Sequence, residues 1–337
     1  MSAGLARPPA SAAPVPDQAA SDTATPATAT TAESILHRVE WQVIRRLDGL
    51  LQGDYRTLFY GTGIDFTDLR EYQPQDDVRH IDWNVTARMN SPYVRQYTED
   101  REITAWFLLD LSPSMGFGPD DRSKEKVLIE FVATFARLLI RNGNRIGAIL
   151  YDNSLNDHGI TRTIPPRGGR IQVLRLIHDM LNGPGEPARK PTDLNELLDA
   201  ALNTLKRRSL VFLLSDFYSE PGWYQPLSLI NTRHELVAVR LWDQREVELP
   251  DAGLIVVEDA ETGEQITVDT SDRGFRARFL EATTRHEVLL QENLRKAGVD
   301  LFTLSTDEDL VSAIVRMAAL RKKRNRLIAQ ERISSAI

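Results

Sequence analysis

The sequence predicts an α/β protein with a doubly wound, mostly parallel sheet, preceded by an irregular N-terminal segment. Three observations carry this. Short, wholly apolar runs at 105–109 and 210–214 read as strands buried on both faces. Longer stretches with apolar residues at helical spacing alternate with such runs. The apolar runs end at aspartates or a serine, at the strand ends where an open parallel sheet gathers its ligands.

Residues 1–32 are rich in Ala, Pro, Thr and Ser and poor in large apolar side chains. Such a segment buries too little surface to offset its chain entropy, so a disordered tail is expected. It has neither the Leu-rich core of a secretory signal nor the arginines of a transit peptide. A helix is expected from Thr31 to Glu33 onward. Ile35, Val39, Val43, Ile44, Leu47, Leu50 and Leu51 share a face, and Gly53 ends it. Residues 54–102 interleave charges of both signs with Trp83 and several tyrosines, and only 93–97 alternates like a strand.

Regular patterning begins at Ile103. A strand is expected over 103–111 and an amphipathic helix over 123–142, with Val127, Phe131, Phe135, Leu138 and Leu139 on one side and Gly143 as its stop. Strands follow at 145–151 and, at an edge, 155–164. Helices follow at 170–181 and 194–205. Further strands are expected at 210–214 and 236–241. The stretch 253–268 reads as a hairpin turning at Glu261–Gly263. A long helix over 273–297 ends at Gly298, a strand covers 299–304, and the last core helix covers 307–320. Arg321, Lys322, Lys323, Arg324 and Arg326 lie on a final helix. They are read as a solvated helix end whose positive charge complements the macrodipole. The chain thus divides into a tail (1–32), an N-terminal helix with the charged segment (33–102), an α/β domain (103–315) and a basic C-terminal helix or tail (316–337).

Composition narrows the function. The chain has 337 residues, 42% of them hydrophobic, enough for a sizeable core. It has no cysteine, which excludes disulfides, zinc–thiolate sites and thiol catalysis and fits a reducing compartment. Its formal net charge of −7 provides no global basic field for nucleic acid. No apolar run approaches the roughly 20 residues needed to span a bilayer. No membrane span and a cytoplasmic location are therefore expected.

Three strand-end segments carry oxygen donors: Asp110, Ser112 and Ser114 in the first, Pro191-Thr192-Asp193 before a helix in the second, and Ser215-Asp216 in the third. Mg²⁺ wants near-octahedral oxygen ligation with one or two protein carboxylates, and two aspartates with three hydroxyls meet that demand. Two carboxylates about 5 Å apart at an effective dielectric of 20 repel by roughly 3 kcal/mol, a sign that a divalent cation between them reverses. Asp193 is a third candidate carboxylate. Without a cation, Asp110 would close its own loop and Ser114 would cap the next helix.

The pattern Asp110-x-Ser112-x-Ser114, then Thr192, then Asp216 resembles the metal-ion-dependent adhesion site of von Willebrand factor A domains, which have a Rossmann-type α/β fold. The resemblance implies that both serines and Thr192 touch the metal through their hydroxyls and that Asp110 and Asp216 act mainly through water. A partner's acidic group would complete the sphere. Mg²⁺ is the expected ion, with Mn²⁺ or Ca²⁺ as alternatives. Pro191 and Phe217 stand where that family often has glycine.

The preceding block narrows the family. Gly61-Thr-Gly63-Ile-Asp65-Phe66, Asp68-Leu-Arg70-Glu71-Tyr72, Asp76-Asp77-Val-Arg79-His80-Ile-Asp82-Trp83, Ala87-Arg88, Tyr93-Val-Arg95-Gln96-Tyr97 and Glu99 resemble the signature of a bacterial family known as domain of unknown function 58. The resemblance covers roughly residues 33–310. It implies a protein that works beside a MoxR-type AAA+ ATPase, as partner or adaptor in chaperone-like maturation or metal insertion, and a soluble member of a family in which many carry membrane helices. Read from the residues alone, the alternating arginines and acids are expected to lock an irregular segment by bidentate ion pairs.

Enzyme signals are poor. No Gly-x-Ser-x-Gly elbow, Walker A loop or His-Glu-x-x-His motif occurs. His80 is expected in an ion pair, and His178 and His286 at helix surfaces or boundaries. The expected function is a non-enzymatic, metal-dependent interaction module whose partner is a MoxR-type AAA+ ATPase or its client. The alternatives are a metal-assisted hydrolase with Asp193 as general base and an unmetallated scaffold.

Overall fold

The computed structural model describes residues 26–51, 69–73, 76, 78, 81, 83–89, 91–95, 102–153, 159–182 and 190–334. Residues 1–25 of the expected tail, Gly53, and most of the charged block, including Gly61 to Asp68, lie outside them.

Helix α1 (Pro26–Arg38) begins earlier than the sequence suggested, with proline in its first turn, where a missing N–H costs nothing. A π turn over Val39–Ile44 joins it to α2 (Arg45–Leu51). The buried residues are Ala32, Leu36, Val39, Ile44 and Leu47, while Leu50 is exposed. The step from Val39 to Ile44 is one residue longer than a helical turn. The π turn absorbs it and keeps one face on the core. This arm shares the main core, and bidentate pairs tie Arg46 to Asp309 and Arg141 to Asp48.

The charged block contains a strand where the alternation over 93–97 suggested one, and two short elements that periodicity did not reveal. Strand β1 (Leu69–Glu71) pairs antiparallel with β2 (Tyr93–Arg95), and α3 (Trp83–Met89) lies between them in the chain. Ile81 bridges Val94, and the Tyr93 N–H donates to Thr86 Oγ1 at 3.0 Å. The expected ion pairs of this block fall largely on residues outside those described.

The remaining strands are β3 (Thr104–Asp110), β4 (Arg145–Tyr151), β5 (Ile160–Arg167), β6 (Leu210–Ser215), β7 (Glu235–Trp242), β8 (Leu254–Glu258), β9 (Gln265–Asp269) and β10 (Leu301–Ser305). Between them run α4 (Lys124–Arg141), α5 (Arg170–Leu181), α6 (Leu194–Thr204), α7 (Tyr224–Arg233), α8 (Arg273–Ala297) and α9 (Leu310–Ser334). Six strands form one sheet in the order β10-β7-β6-β3-β4-β5. All pairs are parallel except β4–β5. The fold is therefore α/β with a mostly parallel sheet, consistent with a Rossmann-like architecture.

Alternation along β3 divides the core. Ala105, Phe107 and Leu109 pack with α1, α4, α5 and α9, whereas Trp106 and Leu108 pack with α6, α7 and α8. Phe107 stacks on Phe212 at 5.3 Å and Phe135 meets Phe212 at 5.2 Å, which pins α4 across β3 and β6. The chain runs from β3 outward to β4 and β5, then returns to β6 on the other side of β3. The C-terminal ends of β3 and β6 are thus the switch point, where the two directions of winding leave a crevice.

The C-terminal helix differs from expectation at Arg321. Helix α9 runs without a break from Leu310 to Ser334, across the division placed at 315/316. Arg321 is not solvated: it is 7% exposed and ion-paired with Glu235 at the start of β7. Lys322 and Lys323 are exposed as expected.

Candidate functional site at the sheet switch point

Asp110 ends β3 and is fully buried. Its Oδ1 accepts the Ser112 N–H at 3.0 Å, and its Oδ2 accepts the Ser215 hydroxyl at 2.6 Å. The second contact follows from register, because Leu109 of β3 faces Leu214 of β6. After Ser112 the chain enters a 3₁₀ turn (Pro113–Gly116), which brings Ser114 back toward Ser112. Their hydroxyl oxygens lie 3.1 Å apart.

Asp216 follows β6 and is fully buried. Its Oδ1 accepts the Tyr218 N–H at 3.0 Å, and its Oδ2 accepts from Lys124 Nζ at 2.7 Å. Thr192 precedes α6 and is 2% exposed. Its carbonyl accepts the Glu220 N–H at 2.9 Å, and Ser219 Oγ accepts the Leu194 N–H at 2.9 Å. The loop after β6 is therefore bonded to the loop before α6. Loops from three distant parts of the chain, carrying Asp110, Ser112 and Ser114, then Thr192, then Asp216, thus come together at this edge of the sheet.

Electrostatics at this crevice are strained. Burial first, and Asp216 second, push the Asp110 carboxyl up to about 6, against the hydrogen bonds from Ser215 and Ser112. Phe217, the residue after Asp216, has φ 63°, the left-handed region that favours glycine. Its N–H is held by Ser215 Oγ at 2.8 Å, and its ring, 1% exposed, packs on Trp223 at 5.4 Å. Relief of left-handed strain is worth about 1–2 kcal/mol, while deleting a buried phenylalanine costs about 3–5 kcal/mol. Packing wins. Phe217→Gly is expected to lose about 2–3 kcal/mol in urea denaturation, and an equal or raised midpoint would refute this.

Three functional residues escaped the sequence reading. Lys124, in the first turn of α4, is fully buried, and its amine donates to Asp216 and to Glu246 Oε1 at 2.6 Å. Glu246 is aimed by a capping box: its Oε2 accepts the Asp243 N–H at 3.1 Å. A lysine at a helix N-terminus opposes the macrodipole, so the two acids must hold it there. The available signal was that Lys124 lies in phase with Val127, Leu128 and Phe131 on the apolar stripe. The third residue is Glu261, at the tip of the β8–β9 hairpin. Its carboxylate accepts the Thr192 N–H at 2.6 Å and also the Thr192 hydroxyl. No sequence pattern relates Glu261 to Thr192, 69 residues away.

Asp193 does something different. It is the N-cap of α6, and its Oδ1 accepts from Asn195 N at 3.0 Å and Nδ2 at 2.7 Å. Pro191 precedes Thr192 in a loop held by Asn153, whose Nδ2 donates to the Lys190 carbonyl at 3.0 Å and lies 3.5 Å from Thr192 Oγ1. His286 is half-buried at the helix boundary and stacks on Tyr218 at 4.4 Å.

The donor chemistry fits a hard cation. Two cis ligands about 2.1 Å from an octahedral ion lie about 3.0 Å apart, and the Ser112 and Ser114 oxygens are 3.1 Å apart. Asn153 Oδ1, beside Thr192, is a buried acceptor without a hydrogen-bond partner. Among the described residues no three acidic or histidine side chains form a cage, so any cation here depends on the hydroxyls. Among those residues, too, no helix is long and apolar enough to cross a membrane.

A family model described as "Protein of unknown function DUF58" matches residues 68–289. An uncharacterized protein of Mycobacterium bovis is 36% identical over 288 residues, which is 86% of this chain and 89% of that protein. An uncharacterized protein of Mycobacterium tuberculosis is 36% identical over the same shares of the two chains. Among solved structures, the conserved hypothetical protein BatB of Bacteroides thetaiotaomicron aligns with 66% of this chain and 99% of its own, at 13% identity and a TM-score of 0.42. An aerotolerance-related membrane protein of Bacteroides fragilis aligns over the same shares at 14% identity and a TM-score of 0.42. Likeness at that level bears on neither site nor function.

Proposed function

The chain belongs to the DUF58 family, and from that premise we propose that it is a cytoplasmic, metal-dependent protein-interaction module with a von Willebrand factor A-like domain. In this reading it is an adaptor for a MoxR-type AAA+ ATPase in the chaperone-like maturation of client proteins. One observation supports the reading: two strand-end loops carry Asp110, Ser112, Ser114 and Asp216, and the loop that carries Thr192 before α6 is bonded to the second of them. Ser112, Ser114 and Thr192 would hold Mg²⁺ by their hydroxyls, with Asp110 and Asp216 acting through water. The bound ion would supply a coordination position for a partner's carboxylate. The chain's own part is to orient the hydroxyls. Ser215 and the Ser112 N–H fix Asp110, and the Tyr218 N–H fixes Asp216.

The purified chain is expected to retain a MoxR-type ATPase in a pull-down with Mg²⁺. Chelator, or Asp110→Ala, should release it. Equal retention in all cases rejects the mechanism.

A second reading, the unmetallated scaffold, has its own observation. The Lys124 amine already neutralises Asp216. Calorimetric titration with Mg²⁺ separates the two. The hydrolase reading has less support, because its candidate base Asp193 is engaged as a helix cap.

A further inference from the structure

The acid that this site is built to take has a stand-in within the chain. The hairpin tip is a self-contained turn: Asp259 Oδ1 accepts the Glu261 N–H at 2.8 Å and the Thr262 N–H at 3.2 Å, and the Gly263 N–H donates to the Asp259 carbonyl at 2.8 Å. Gly263 has φ 71°, which closes the turn without strain. The turn thus presents Glu261 outward from its own backbone. The carboxylate lands on both donors of Thr192. It comes close enough to Asp216 to be repelled by it, and burial raises its carboxyl above the ordinary range despite the bonds from Thr192.

The rest of the hairpin is loosely held. Leu254, Val256, Val257 and Ile266 are all exposed, and neither strand joins the main sheet. Its base is anchored instead, by Thr270 Oγ1 donating to the Gly253 carbonyl at 2.8 Å and by Arg276 pairing with Asp251 at 3.1 Å. The hairpin is thus held at its base and joined to the site at its tip through Glu261.

We propose that Glu261 is the resident occupant of the acid-binding position at Thr192, and that a partner binds by placing a glutamate side chain there after displacing the β8–β9 hairpin. The proposal rests on the reading of this crevice as a carboxylate-recognising site. It adds a gate: the chain's own hairpin holds the position until a partner's acidic side chain displaces it.

The test uses the full chain as wild type, Glu261→Gln, Glu261→Ala and Thr192→Val, each in Mg²⁺ and in EDTA. Hydrogen exchange is followed over residues 254–269, and a hexaglutamate peptide is titrated by calorimetry with hexaglutamine as control. A lost pair of charge-assisted hydrogen bonds should speed exchange in both Glu261 variants by about tenfold or more. The same variants should bind hexaglutamate about tenfold tighter than wild type, and hexaglutamine not at all. Thr192→Val removes the hydroxyl bond but keeps the backbone N–H that Glu261 also accepts, so it should free the hairpin only in part and gain no peptide affinity, which separates an emptied site from general loosening. Equal exchange, or equal hexaglutamate affinity, in wild type and Glu261→Ala overturns the proposal. If Mg²⁺ gives no heat but the gain persists in EDTA, the cation reading fails and the resident acid stands. If Mg²⁺ binds and no gain appears in either buffer, the resident acid fails and the cation stands.

Discussion

Lys124→Met is expected to lower folding stability by about 3–5 kcal/mol. The amine is fully enclosed, between Asp216, which is 1% exposed at its side chain, and Glu246, which is 14% exposed. Replacing a whole buried ion pair by apolar groups is often neutral, but removing one partner leaves the other charges uncompensated. Here one cation serves two acids, so the loss falls at the costly end. Methionine fills the lysine's volume, which removes a cavity as the explanation. The measurement is the urea midpoint in EDTA. A change under about 1 kcal/mol would show that the pair contributes no more than an exposed salt bridge. The same variant links stability to the site. With the amine gone, Mg²⁺ should restore part of the lost stability, since a divalent ion would then be the remaining counter-charge for Asp216.

Asp110→Asn is expected to make the protein more stable without metal and a poorer binder of it. Asparagine keeps an acceptor for the Ser112 N–H and a donor for the Ser215 hydroxyl, so the loop is retained. Only the charge goes. Because Asp110 would act on the ion through water, the loss in Mg²⁺ affinity should be about 10–100-fold, the range for groups that tune a metal from outside its ligand sphere. The pH dependence has a definite sign. The folded carboxyl titrates at about 6 against an ordinary 3.8, so the folded state binds the proton more tightly than the unfolded one. In EDTA the wild type should therefore lose stability as pH rises from about 4 to about 6, by roughly 3 kcal/mol, and stay level above that. Asp110→Asn should show a smaller decline, the part left being that of Glu246 and Glu261, whose carboxyls burial also raises. Denaturation curves at pH 4.5 and 7.5 with and without Mg²⁺ would decide it, and a wild type that gains stability over that interval would refute the argument.

Asp110 and Asp216 were legible as strand-end carboxylates because apolar runs and their ends are properties of the chain itself. Asp110 and Asp216 follow wholly apolar runs, and such runs in an α/β pattern end at the ligand-bearing edge of the sheet. The helices over 170–181 and 273–297 and the strand over 145–151 appear at those bounds, because period and capping residues agree there. Helix α7 was missed. Its sequence, Tyr224–Arg233, carries a proline and few apolar residues in phase, and burial of Leu227 and Ile230 is what stabilises it. On the N-terminal arm the face was legible in Val39, Ile44 and Leu47, which are buried, and in Ile35 and Val43, which pack against the core; the burial of Leu36 and the exposure of Leu50 follow from the π turn and docking on the core.

The sequence by itself determined the α/β class, the strand ends and the set of oxygen donors, because hydrophobic period and local turn chemistry act between near neighbours. Tertiary structure alone decided what those donors meet: Lys124 on Asp216, and Glu261 on Thr192. Both are pairings of charge with a partner far away in the chain. An ion pair or a charged hydrogen bond leaves no periodic trace, and it gains its strength only when burial removes the competing water.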